Sequence, residues 1–222
     1  MQKKIIIATV LFVGGYFMQS CSNSTDTTTK TEMDSSMNHK DMNNDNMKMD
    51  NPMMESMSST MGKIKDMKMT GDFDLDFANM MMMHHQGAID MSEVQIAKGS
   101  DEQIKSMAKN IISSQKAEIE ELQAFVKNYK MPETKMEDGE MHNELGETMK
   151  AGMDKMQDMP MSGNTDKDFV MMMIPHHESA VAMAKDELSL GKQASLKKMA
   201  QKMIADQTKE IGEFKAWGSK QK

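Results

Sequence analysis

Along residues 71–222 apolar positions recur every three to four residues, the period of an amphipathic helix. Phe77, Met81, Ala88 and Ile96 share one face with His85, and Ile104, Ala108, Ile111, Ile119, Leu122 and Val126 make a stripe on a following helix. Gly99 predicts the break between them, and Ser100 with Gln103 three residues on predicts a capping box at the second start. The pattern then returns. At an offset of 92 residues FANMMMMHHQGAIDM superposes on FVMMMIPHHESAVAM without a gap, and the match runs on through Gly99/Gly191, Gln115/Gln207 and Glu118/Glu210 to Phe125/Trp217. This is a duplicated helical hairpin, with units over about 72–128 and 164–218. Between the units Met141, Leu145, Met149, Met153 and Met156 predict an extra connecting helix over about 135–158, bounded or weakened by Pro132, Gly139 and Pro160. Four stripes on four long helices are buried economically in an all-α four-helix bundle with a pseudo-twofold axis.

Upstream the periodicity fades. Across residues 22–70 Ile64 is the one aliphatic side chain, set among Asn, Asp, Ser, Thr and Lys. Such a segment is expected to stay a disordered tether, because it buries too little apolar area to offset its ordering entropy. Ahead of it, Lys3 and Lys4 precede an apolar run from Ile5 to Phe17, which is short for a bilayer span and suited to a secretory leader. Ser20 then meets Cys21. Residues 1–20 are similar to a bacterial lipoprotein signal, which implies export, cleavage before Cys21, acylation of its sulfur, and anchoring in the periplasm or at the outer membrane.

Composition alters this picture in two respects. The chain has 33 methionines, whereas Leu, Ile, Val and Phe together are only about 15 % of it, so methionine must supply part of the core. All 27 basic residues are Lys against 34 acidic ones, a net charge of −7 that argues against a nucleic-acid partner. The single Cys excludes a disulfide scaffold and a Cys-rich zinc site.

Candidate chemistry lies in the two Met-His blocks. Met80 and His84 are one helical turn apart, as are Met81 and His85, and the second unit repeats this with Met172/His176 and Met173/His177. Imidazole with thioether is a soft donor set that suits copper, and Met favours Cu(I). Adjacent histidines diverge by about 100° on a helix, so one of each pair is expected to face the bundle interior. His85 and His177, on the faces of Phe77 and Phe169, are the inward candidates, with His84 and His176 nearer the flank. Met91 and Met183 fall among the possible thioether ligands. Gln115 and Gln207, polar within an apolar stripe, are expected to orient the His rings by hydrogen bonds. The tail adds Met33, Met37, His39, Met42, Met47 and Met49 as further soft donors.

The D-F pairs, the Met-rich turn, the doubled HH, the Ala and Met beyond it and the later Q-x-x-E-I together resemble the bacterial domain of unknown function family numbered 305. The resemblance spans about 72–218 and implies a ferritin-like helical bundle in an exported protein associated with copper binding and copper tolerance. The M-I-P-H-H form stands intact at Met173–His177, whereas the first copy reads M-M-M-H-H. The expected protein is a membrane-anchored, non-enzymatic lipoprotein that sequesters Cu(I) or delivers it to another copper-handling protein, with Cu(II) and Ag(I) as other ions its donors accept. Two rivals share the bundle. A di-iron or di-manganese carboxylate enzyme needs Glu-x-x-His motifs, but Met81, Met82, Met173 and Ile174 stand three residues before the histidines. A metal-free, partner-binding module would use Met-rich grooves instead.

Overall fold

The computed structural model describes residues 51–132 and 139–221, with side chains from residue 144 onward in the second stretch. The leader 1–20, Cys21 and the tail candidates Met33, Met37, His39, Met42, Met47 and Met49 lie outside the described residues. Among the described residues six helices follow one another: α1 (Pro52–Lys65), α2 (Phe73–Lys98), α3 (Glu102–Asn128), α4 (Gly139–Gln157), α5 (Thr165–Leu190) and α6 (Ala194–Ser219). The hairpins α2/α3 and α5/α6 form the bundle, and α2 meets α5 across the pseudo-twofold axis. Among the described residues no helix is long and apolar enough to cross a membrane.

The expectation of a disordered tether to residue 70 does not hold for its last part. Residues 52–65 are helical and lie on α2, with Met53 and Met57 buried. The local chemistry explains the helix. Asn51 caps it by accepting from the Met53 backbone N–H at 2.9 Å, Pro52 occupies its start, and Lys63 and Lys65 sit in its last turn. Methionine is itself a good helix former, and here it also provides the buried face.

This helix is the first element of the repeat. Carried upstream, the 92-residue offset aligns 51–70 with 143–162, with identities at Asn51/Asn143, Glu55/Glu147, Met57/Met149, Met61/Met153, Lys63/Lys155, Asp66/Asp158, Met67/Met159 and Met69/Met161. α1 and α4 are therefore counterparts, and each unit has three helices rather than two. Both cross their neighbour at a point of close approach. A Cβ at Gly87 would stand 3.1 Å from the Thr60 side chain, and one at Gly152 would collide with Ser179; Thr60/Gly152 and Gly87/Ser179 are equivalent positions.

The core divides into two clusters that the same offset interchanges. One gathers Met53, Met57, Met91, Ile104, Ala108, Ile111, Phe169 and Phe214, and the other Leu145, Met149, Met183, Leu196, Ala200, Met203, Phe77 and Leu122. Each cluster draws on both units, so neither unit has a core of its own.

Four buried aspartates of the repeat, Asp74, Asp76, Asp166 and Asp168, hold its turns and helix starts. Asp76 accepts from Thr70 N and Oγ1 at 2.7 and 2.8 Å and from Gly71 N at 3.2 Å, fixing a turn in which Gly71 has φ +84°. Asp168 does the same for Ser162 and Gly163, whose φ is +79°. These turns require a left-handed residue, which glycine adopts without steric cost.

Helix caps then cross between units. Asp166, at the start of α5, accepts from Ser100 N, Ser100 Oγ and Asp101 N ahead of α3, while Asp74 in α2 accepts from Lys192 N and Gln193 N ahead of α6. The expected Ser100 capping box is displaced by one residue: Asp101 is the cap of α3, accepting from Ile104 N at 3.0 Å, because Ser100 is engaged by Asp166. Gln95 donates to Asp166, and its counterpart Glu187 lies against Asp74. Gly99 and Gly191 have φ of −70° and −61°, so their role is spatial. A Cβ there would strike Gln95 or Glu187.

Candidate metal centre

All four repeat histidines are buried. The inward and flanking roles expected for them are revised, because the face of each helix that carries His84 or His176 packs against the other unit and the face that carries His85 or His177 against its hairpin partner. His84 and His176 meet on the pseudo-twofold axis, ring centroids 3.8 Å apart and tilted by 38°. His85 and His177 turn instead toward the hairpin partners. His85 Nε2 lies 2.9 Å from Glu118 Oε2, and His177 Nε2 lies 2.8 Å from Glu210 Oε2.

Glu118 and Glu210 thus make the contacts expected of Gln115 and Gln207. Helix side chains lean toward the N-terminus, which carries the His85 ring about a turn further from the hairpin break, level with Glu118 rather than Gln115. Gln115 and Gln207 stay buried, and Gln115 Oε1 and both amide atoms of Gln207 have no partner among the described residues. Burial alone would raise the Glu118 carboxyl, but hydrogen bonds from His85 and from Lys202 at 2.9 Å bring it below its ordinary range. As an ionised carboxylate it only accepts, so His85 donates its Nε2–H. The His85 and His177 Nδ1 atoms are buried and receive no hydrogen bond from the described residues.

Neither ring nitrogen of His84 has such a partner, nor has His176 Nδ1. Burial above all, then the neighbouring imidazoles, holds both rings well below the ordinary histidine range, so they are neutral and keep free lone pairs. They border a small cavity of about 10 Å³, whose other walls are Met57, Thr60, Met61 and Ile64 from α1, Gly87 and Met91 from α2, and Met149, Met153 and Met156 from α4. About one probe sphere of space holds a single small guest. Met57/Met149, Met61/Met153, Ile64/Met156 and His84/His176 are repeat counterparts, so the cavity lies on the axis between the units.

Of the thioethers predicted from the His blocks, only Met91 borders this cavity. Met80, Met81 and Met183 lie in one apolar cluster and Met172 and Met173 in the other. The other thioethers that line the cavity with the axial imidazoles come from α1 and α4, which the Met-His blocks do not reveal. Running the repeat upstream of residue 72 does reveal them, because it turns Met57 and Met61 into partners of Met149 and Met153. Among the described residues no three His, Cys, Asp or Glu side chains gather into a metal-binding group. Asp76 and Asp168 are engaged in turns and Glu118 and Glu210 with histidines.

The model of the domain of unknown function DUF305 matches residues 17–126 and 74–218. The chain belongs to the DUF305 family. Several solved structures share its helical fold. CopM in the Cu(I)-bound form is 30 % identical, with 66 % of this chain and 96 % of that chain covered and a TM-score of 0.50. CopM in the Cu(II)-bound form gives 31 %, 67 %, 97 % and 0.51. A DUF305 protein from Streptomyces coelicolor, at 24 % identity, covers 66 % of this chain and 90 % of its own with a TM-score of 0.51, and speaks for the fold alone. No curated protein matches the chain. The two DUF305 matches overlap along the sequence, as expected of a duplicated unit.

Proposed function

We propose that this DUF305 protein binds a soft monovalent metal ion, Cu(I) foremost and Ag(I) alike, in the axial cavity, and that it sequesters the ion or passes it to another copper-handling protein. The observation that carries this reading is the pair of neutral, buried imidazoles facing a cavity otherwise walled largely by thioethers. Thioether sulfur and imidazole nitrogen together prefer Cu(I) to harder ions. Charge argues in the same direction. The lining supplies neutral donors only, and the cost of burying an ion rises with the square of its charge, so a monovalent ion is tolerated far better than Cu(II). CopM, solved with Cu(I), Cu(II) and Ag, supports a copper-related role.

The protein is proposed to act as a carrier rather than an enzyme. Export and anchoring through Cys21 complete the proposal, placing the site in the cell envelope and giving it a part in copper tolerance. The test is a His84→Ala/His176→Ala variant titrated with Cu(I) against a competing chelator. Loss of two of the few nitrogen donors should weaken binding by about a hundredfold or more, with helical content retained. Unchanged affinity would reject the axial site.

A further inference from the structure

A surface groove of about 1370 Å³ runs between α1 and α4. We infer that it is the loading route by which a soft monovalent ion passes from solvent to the axial histidines, an inference that rests on the axial cavity being the binding site. Groove and cavity adjoin: Met57, Met61, Ile64, Met149 and Met153 line both. Burial rises steadily inward. Met69 at the groove is 38 % exposed, Met54, Met61, Met67 and Met153 are half-buried, and Met57 and Met149 are 4 % and 1 % exposed, next to His84 and His176 at 2 % and 3 %.

The side chains are chosen for sulfur. Ile64 is the one large apolar residue of the groove wall without it; leucine would fill the same volume. An ion stripped of water cannot cross an apolar wall unaided, because its desolvation is uncompensated. A ladder of flexible thioethers removes that barrier by exchanging one sulfur for the next, each neutral, each weak enough to let go. Strongly hydrated ions such as Mg²⁺ prefer oxygen donors and would not leave water for it. The route therefore filters as well as conducts.

Met54, Met67 and Met69 line the groove but not the cavity, so they separate passage from binding. In the full chain, a Met54→Leu/Met67→Leu/Met69→Leu variant keeps apolar bulk and removes outer sulfur. Cu(I) loading from a chromophoric Cu(I) chelator, followed by stopped-flow absorbance, should slow by about tenfold or more, while the end-point affinity stays within about threefold of the parent, because the cavity donors remain. Loading at the parental rate would overturn the route, as would an end-point affinity lowered further, which would make these methionines part of the site itself. The His84→Ala/His176→Ala variant is run alongside. If its tight end-point persists, the axial site is what fails; if the end-point is lost while the leucine variant loads normally, the site stands and the route alone is rejected.

Discussion

At the scale of single residues, the clearest departure from symmetry is one atom group. Gln95 gives Asp166 an amide donor, while at the equivalent position Glu187 confronts Asp74 with a second carboxyl. Burial first, then the charge and hydrogen bond of Asp74 with a smaller part from Asp72, push Glu187 up to about 9 from an ordinary 4.5, and Lys197 opposes this. The folded chain thus keeps a proton that the unfolded chain gives up. The stability this contributes is complete below about 4.5 and is lost as pH rises through about 9. Glu187→Gln copies the Gln95 arrangement and should flatten that decline, which denaturant unfolding at a series of pH values across the window would reveal; an unaltered slope would mean that the proton is held elsewhere. Gly99 provides a second test. Its φ of −70° suits any residue, yet Gly99→Ala should destabilise by about 1–3 kcal/mol in the same assay, because the new methyl strikes Gln95 and disturbs the Asp166 cap.

At the scale of elements, α1 and α4 act as lids over the central helices, and the short helix α1 is where sequence and structure part most. The hairpins and their breaks at Gly99 and Gly191 were legible because aliphatic and aromatic residues help carry a 3.6-residue period there, and the connecting helix because Met141, Leu145, Met149, Met153 and Met156 keep helical spacing. α1 was not legible, since its buried face is Met53 and Met57 with Thr60, set among Ser, Lys and Glu55 and at the end of a long polar segment in which Ile64 is the one aliphatic residue. The repeat contained the missing information. Likewise the doubled HH pointed to the histidines, but which of them met on the axis depended on which faces of α2 and α5 meet each other, which no single helix pattern encodes. Met53→Ala and Met57→Ala should each cost about 2–5 kcal/mol, as for other large-to-small core changes. A double variant with the parental urea midpoint would make α1 dispensable to the fold.

At the scale of the whole molecule, the two units exchange caps, share both core clusters and divide the axial cavity between them. One unit alone, residues 51–129, leaves its half of each cluster bare. It should fold as a homodimer, with Gln95 of each copy serving Asp74 of the other, a better match than Glu187 gives in the natural chain. Sedimentation would show this, and a stable folded monomer would contradict it. The same geometry bears on metal counting. A sequence with two HH motifs invites the expectation of two equivalent sites, one in each repeat. His84 and His176 nevertheless belong to one space on the axis, so duplication here has not doubled the site. It has moved both halves of one space into one chain, and the proposed axial site therefore predicts a tight stoichiometry of one ion per polypeptide.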